Sequence, residues 1–425
     1  MVKVITYGTF DVLHYGHIRL LERAKELGDY LIVGITSDDY DKTRGKINNQ
    51  QSLMERIASV EATGLADEII VEEYEGQKID DIRRLNVDIF TVGSDWVGKF
   101  DYLNEYCKVV YLPRTEGVSS SKLRAEKRKL RIGTIGNGNL CKKFVGELQY
   151  VNGVEYTPCD DTLEGVDAVY VASHPERHYQ DVKRALNAGK HVICESPIAL
   201  KVAEYRELKQ LAAEKCLILE DAIKTAYSTA YSRLLVLAKS GRIGDIVSVD
   251  AVCTSLGDGA GEEGADLRNK QNSICAWGPT AMLPIFQLLG IEYKQLNITT
   301  KLIDESLNYD GFTKIVFAYN KALASAKVAK AAKAEGELII SGTKGYIFVP
   351  APWWKTDYFE ARFEDQSKNK RYFYQLDGEG IRYEIVEFAK AVESGKQSFY
   401  ISNETTEAVI KVIEHYFDRE YDVLQ

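Results

Sequence analysis

The chain has 425 residues, with 63 acidic against 54 basic side chains and a formal net charge of −9. That length predicts about two to three domains, each burying its own core, and the acidic, evenly mixed charge argues against a nucleic-acid or membrane-surface protein. No apolar run approaches the ~20 residues of a membrane span, and seven scattered cysteines without C-x-x-C spacing predict free thiols in a reducing, cytoplasmic setting.

The first element is a short apolar run, Val2 to Tyr7, that reads as a buried strand and leaves no room for a signal peptide before it. It leads through Gly8-Thr9-Phe10-Asp11-Val12-Leu13-His14-Tyr15-Gly16-His17 into Ile18–Leu27, where Ile18, Leu20, Leu21 and Ala24 recur at helical spacing. A strand, a glycine-punctuated turn and a helix in that order collect backbone N–H groups and a positive dipole end at one spot. His14 and His17 sit where the helix begins, so both can face one anion. Two histidines around Gly16 could instead be half a metal site, although no third ligand follows at zinc-like spacing.

Further on, strands are predicted at 30–36, 68–71, 89–92 and 109–112, with helices at 52–63 and 79–85. The alternation predicts a doubly wound parallel sheet. Ligands of such sheets bind beyond the carboxyl ends of the strands. The polar clusters fall there: Asp38, then Asp95-Trp96, then Arg114-Thr115-Glu116-Gly117. The basic cluster Lys42–Lys46 suits a phosphate-rich small ligand as well as RNA.

Gly8–Asp11 with His14 and His17, Gly93–Asp101, and Arg114–Ser120 together resemble the glycerol-3-phosphate cytidylyltransferase family through nearly all of residues 1–125. The resemblance implies transfer of CMP from CTP to a polyol phosphate, releasing pyrophosphate and giving a CDP-polyol for a capsule or other surface polymer. His14, His17, Lys46 and Arg114 would be catalytic. Thr9, Phe10, Asp11, Arg44, Arg56, Asp95, Trp96, Thr115, Ser119 and Ser120 would bind substrate, with Arg56 on the acceptor phosphate and Asp11 and Asp95 also as ligands for Mg²⁺. Where a basic residue is expected near position 64 stands Gly64, a departure at the acceptor pocket. For Arg44, Lys46 and Arg56 the bland alternative is a solvated face.

After a helical stretch at 122–129, Leu130–Ile135 reads as a strand and Gly136-Asn137-Gly138-Asn139 as a tight turn that lets backbone approach a pyrophosphate. Cys141 replaces the third glycine of that fingerprint. Strands follow at 154–159, 167–172 and 191–194, with a helix at 178–189. Asp160 stands near where a ribose-binding acid is expected. The run Ala185–Val192 with Glu195 and Pro197, and later Gly241–Gly244, Gly342–Gly345 and Gly378–Glu384, resemble the glucose-fructose oxidoreductase and inositol dehydrogenase family over residues 130–420.

That resemblance implies a dinucleotide-binding domain at 130–245 and an antiparallel α+β domain at 246–425, behind a cytidylyltransferase domain at 1–129, with a closing helix at 405–417. Gly136, Gly138, Asn139, Asp160 and Glu195 would hold NAD(P). Both families imply a homodimer or higher homo-oligomer. The departures are chemical: Ser196 stands where the family carries a catalytic Lys, and Ala276 and Thr280 where it carries an Asp and a His. Hydride transfer to a carbonyl needs a proton donor, and Lys224 or Tyr227 could replace only one missing group. One reading is a working NAD(P)H-dependent sugar-phosphate reductase fused to the transferase. Another is a hydride-inactive module, which the departures favour. A nucleotide-binding scaffold is a third.

Overall fold

The computed structural model describes residues 1–43, 49, 51–74, 76–113, 129–136, 138–151, 153–256, 262, 266–374 and 376–424. It divides into two compact units, Met1–Lys129 and Leu130–Gln425.

In the first unit β1 (Lys3–Gly8), β2 (Tyr30–Thr36), β3 (Glu68–Glu72), β4 (Ile89–Gly93) and β5 (Lys108–Leu112) form one sheet in the order β3-β2-β1-β4-β5. Every pairing is parallel. Helices α1 (Tyr15–Lys25), α2 (Asp38–Thr43), α3 (Leu53–Glu61) and α4 (Gln77–Leu85) connect the strands. β1 and β2 are buried along nearly their whole length and mostly apolar because both faces are covered. Val4, Leu31 and Val33 point into one core with Leu21 and Val60. Ile5 and Ile32 alternate into the other, with Ile82 and Phe90. α3 begins with a capping box in which Ser52 and Glu55 satisfy each other's backbone N–H. The chain builds outward from β1 to β3, then crosses to β4 and β5 on the other side. The carboxyl ends of β1 and β4 therefore lie side by side at the point where the winding reverses.

In the second unit β6 (Leu130–Ile135), β7 (Val154–Tyr156), β8 (Ala168–Val171), β9 (His191–Glu195) and β10 (Leu219–Ala222) form a second parallel sheet, ordered β10-β9-β8-β6-β7. α5 (Asn139–Leu148), α6 (Pro175–Asn187) and α7 (Val202–Glu214) connect them. β7 ends at Tyr156 rather than Cys159: it is an edge strand, and after Thr157 N–H bonds to the Ile132 carbonyl the chain turns out to line a cleft. α6 begins three residues earlier than its apolar spacing suggests, with Pro175 in the first turn, where its missing N–H costs nothing.

A nine-stranded sheet follows: β11 (Ile246–Thr254), β12 (Gln295–Asp304), β13 (Tyr309–Ala318), β14 (Leu323–Ala329), β15 (Leu338–Gly342), β16 (Tyr346–Val349), β17 (Tyr358–Arg362), β18 (Lys370–Phe373) and β19 (Asp422–Val423). It is antiparallel except where β11 meets β14 and β12 meets β19. Helices α8 (Thr229–Lys239), α9 (Ser273–Leu289), α10 (Ile381–Ser394) and α11 (Asn403–Phe417) complete the unit. α11 starts behind Ser402, whose hydroxyl accepts from Thr405 N–H. Among the described residues no helix is long and apolar enough to cross a membrane. All seven cysteines are unbridged, and Cys216 alone among them is exposed.

Candidate functional site

The loop leaving β1 carries two non-glycine residues in the left-handed region, Phe10 (φ 53°) and Val12 (φ 48°). A β-branched valine adopts that conformation reluctantly, and such strain persists only where surrounding contacts impose it. Those contacts come from the segment before α3. Gln51 N–H donates to Asp11 Oδ1 at 3.0 Å, and Val12 N–H donates to Gln51 Oε1 at 2.9 Å. Phe10 and Asp11 are both buried.

The loop delivers His14 to the start of α1 as its N-cap, where Nδ1 accepts from Gly16 N–H at 3.1 Å. With Nδ1 accepting, the ring proton of neutral His14 resides on Nε2, which is left as a donor. The His14 and His17 rings stack with centroids 3.8 Å apart, and Phe10 meets His17 edge-on at 5.5 Å. Two imidazoles and the N-terminus of an eleven-residue helix thus face one place. Among the described residues no group of three or more His, Cys, Asp or Glu could hold a metal ion.

Arg56, on α3, is fully buried rather than on a solvated face. Its guanidinium donates to the carbonyls of Thr9 (2.7 Å), Thr36 (2.8 Å) and Gln51 (3.3 Å) and to the Asp38 carboxylate, with Asp41 at 4.0 Å. It therefore ties the ends of β1 and β2 to the loop before α3. Asp41, which carries no sequence signal, is also fully buried; it accepts from Thr9 Oγ1 at 3.1 Å and Asn49 Nδ2 at 3.0 Å. On the adjoining strand, Asp95 and Trp96 sit in an exposed single turn, Ser94–Trp96, directly after β4. The switch point between β1 and β4 brings Thr9, Phe10, Asp11, His14, His17 and Arg56 to one loop system, with Asp95 and Trp96 on the neighbouring loop. Arg44, Lys46, Arg114, Thr115, Ser119 and Ser120 lie outside the described residues.

In the second unit a cleft of about 1,060 Å³ opens at the carboxyl ends of β6, β7 and β8. Gly136, Gly138, Asn139 and Asp160 all line it, together with Asp161, His174, Arg184 and Arg268. Gly136 has φ +118°, and a Cβ there would lie 2.5 Å from the Ala172 carbonyl, so only glycine permits this close passage. The Asp160 carboxyl accepts from Thr162 N–H and Oγ1, which hold it below its ordinary range. Asp161 pairs with Arg184 at 2.7 Å. Glu195 is not in this lining; it accepts from the Tyr170 hydroxyl. Ala276 and Thr280 are half-buried on α9. Tyr227 is buried and spends its hydroxyl on the Asp221 carbonyl at 3.1 Å.

Around Glu195 lies a group of buried acids. Burial raises Glu195 and Glu220 to about 7 and Asp221 to about 6, and it also raises Glu384. These folded-state values lie above the unfolded ones near 4. The stabilisation they provide is thus fully present below about pH 4 and is lost as pH rises through 6 to 7. The second unit is expected to melt at a higher temperature at pH 5.5 than at pH 8. Glu220→Gln should flatten that dependence, since Glu220 alone accounts for roughly 3 kcal/mol. Thermal melts across that window check this; an unchanged slope in the variant would contradict it.

Comparison with known proteins finds two family models that match parts of this chain. A family described as cytidylyltransferase-like matches residues 5–126, and one described as an oxidoreductase family with an NAD-binding Rossmann fold matches 130–220. A glycerol-3-phosphate cytidylyltransferase of Bacillus spizizenii is 49% identical over 130 residues, covering all of that protein and 31% of this chain. One from Bacillus subtilis is 52% identical over 126 residues, covering 97% of it and 30% of this chain. Among solved structures, a 3-ketoreductase from Actinomadura kijaniata in complex with NADP and TDP-benzene superposes with TM-score 0.60 at 16% identity, covering 99% of that chain and 70% of this one. An aldose-aldose oxidoreductase from Caulobacter crescentus gives 0.59 at 16%, covering 98% and 69%. At that identity the likeness establishes the fold of the second unit.

Proposed function

This chain belongs to the glycerol-3-phosphate cytidylyltransferase family through its first unit, and from that premise we propose that it transfers CMP from CTP to a polyol phosphate. The observation that carries the reading is the stacked His14–His17 pair at the start of α1, beside the β1–β4 switch point. In the reaction an oxygen of the acceptor phosphomonoester bonds to the α-phosphorus of CTP. The bond from that phosphorus to the β-phosphate oxygen breaks, and pyrophosphate leaves. No covalent nucleophile is required, only charge neutralisation and in-line positioning.

His14, donating through Nε2, and His17 stabilise the charge on the transferring phosphate. Lys46, Arg44, Arg114, Thr115, Ser119 and Ser120 bind the triphosphate. Asp95 and Trp96 serve the cytidine side, and Thr9, Phe10 and Asp11 shape the loop. Arg56 acts from beneath, through the carbonyls it holds, as a positioning residue. Asp11 and Asp95 are the carboxylates that would hold Mg²⁺, which would supply neutralisation of phosphate charge when bound. The functional division we adopt is 1–129 for cytidylyl transfer, 130–245 for dinucleotide binding and 246–425 for the α+β partner. The cleft at Gly136, Gly138, Asn139 and Asp160 suits NAD(P) in size and backbone approach. Ser196, Ala276 and Thr280 supply no proton donor of useful pKa, which supports a hydride-inactive second half. A cytoplasmic homodimer or higher homo-oligomer supplying CDP-polyol to a surface polymer extends the reading by analogy with the family.

The test is pyrophosphate release from CTP, with ATP as control, across a panel of polyol phosphates and the corresponding ketose phosphates, with and without NADPH. Release with CTP and one polyol phosphate alone is expected. Release from a ketose phosphate only when NADPH is present would show a live reductase instead.

A further inference from the structure

Three lysines from three separate elements converge on one carboxylate in the second unit. Lys143 of α5 and Lys224 after β10 each reach Glu379 Oε2 at 3.0 Å, and Lys355 after β16 reaches Oε1 at 2.8 Å. These residues are drawn together across up to 236 positions of sequence. The turn carrying Lys224 is fixed to the one carrying Lys355, because Thr225 Oγ1 donates to the Trp354 carbonyl at 3.1 Å. None of the four groups is fully buried.

Charge at this spot is not balanced. Burial pushes Glu379 upward, but hydrogen bonds from Lys355, Lys143 and Lys224 outweigh it and hold the carboxyl at about 2, fully ionised. That leaves three ammonium groups against one carboxylate. The other acids near Lys224 compensate less than ordinary carboxylates would, because burial raises Glu384 and raises Glu195 to about 7. The neighbouring Glu147–Arg382–Asp377 group, linked at 2.9 and 3.8 Å, sets two carboxylates against one guanidinium and so offsets one of the two excess positive charges, leaving the cluster net positive.

The carboxylate is also delivered under strain. Gly378 (φ 57°), Glu379 (φ 55°) and Gly380 (φ 94°) are three successive left-handed residues, of which the middle one is not glycine. A Cβ on Gly380 would lie 2.9 Å from the Lys224 carbonyl, so the loop is pressed against that turn. An ordinary surface ion pair needs neither a third lysine nor a strained backbone.

We propose that Lys143, Lys224 and Lys355 form a seat for a phosphomonoester dianion, and that Glu379 occupies it as a stand-in until the ligand displaces it. Lysines act as compact point charges toward phosphate. A group carrying about −1.5 to −2 at neutral pH matches three of them better than one carboxylate does. Glu379 leaves by relaxing out of its left-handed conformation. The inference does not depend on the chemistry of the first unit. It gives the second unit a ligand class of its own, a small organic phosphate or free phosphate.

The chain's four tryptophans make the test direct, since only Trp96 lies in the first unit, while Trp353 and Trp354 precede Lys355. In full-length Trp96→Phe protein, intrinsic fluorescence reports the second unit alone. Titration with glycerol 3-phosphate is expected to give a saturable change, and titration with glycerol none. Lys355→Gln or Lys143→Gln should weaken apparent affinity roughly ten-fold. Glu379→Gln should tighten it several-fold, an effect that a purely structural clamp does not produce. Inorganic phosphate binding as well as glycerol 3-phosphate supports a seat that reads the phosphate alone; weaker binding supports one that also reads the carbon chain. An equal response to glycerol, lysine variants that titrate like their parent, or a Glu379→Gln variant with unchanged or weaker affinity each overturn the proposal.

Discussion

His17→Ala is expected to lower CTP-dependent pyrophosphate release by about 10²–10³-fold, the usual cost of removing one preorganised donor from a developing charge. The loss should fall on kcat, because the charge that His17 meets grows only as the phosphorus is attacked. Stability should change little: the ring packs against His14 and Phe10 at the mouth of the site, outside the sheet core. Steady-state kinetics beside a thermal melt separates the two. Turnover that survives the substitution would remove His17 from the catalytic assignment.

Arg56→Ala is expected to destabilise the first unit by about 3–5 kcal/mol, the range for breaking a buried charge pair from one side. The substitution takes the positive charge at 4.0 Å away from the fully buried Asp41 carboxylate and removes the donor from the Thr9, Thr36 and Gln51 carbonyls. Arg56→Lys should rescue little, since a single ammonium cannot reach several diverging acceptors as a planar fork does. Denaturant unfolding followed through Trp96 reads the loss. If Arg56→Ala folds with wild-type stability but loses affinity for the acceptor, Arg56 is a ligand contact and not a positioning residue.

The two substitutions also mark where sequence reading stops. The strands were legible because doubly covered parallel strands are continuous apolar runs, as in β1, β2, β8 and β9. The histidine pair was legible because a cap and the residue three positions on share a helix end whatever the rest of the chain does. Arg56 was legible as a site residue through the family resemblance, but its burial was not, because a basic residue on an amphipathic helix looks solvated until β1 and β2 are known to end above it. Asp41 has no motif at all; only the fold turns it into a buried acceptor. Edge strand β7 stopped three residues early because its partner offers bonding for so short a stretch. The Lys143–Lys224–Lys355 cluster is invisible to any local window. Each lysine is unremarkable in its own segment, and only the closure of α5, β10 and the nine-stranded sheet around Glu379 brings them together.

The distribution of thiols has a practical side. Burial raises Cys107, Cys141, Cys159, Cys194, Cys253 and Cys275, of which Cys107 and Cys159 are half-buried and the other four buried, whereas Cys216 stands exposed in the turn after α7. The native chain therefore offers one preferred point for covalent attachment of a dye or spin label, on the second unit, with no engineered cysteine required.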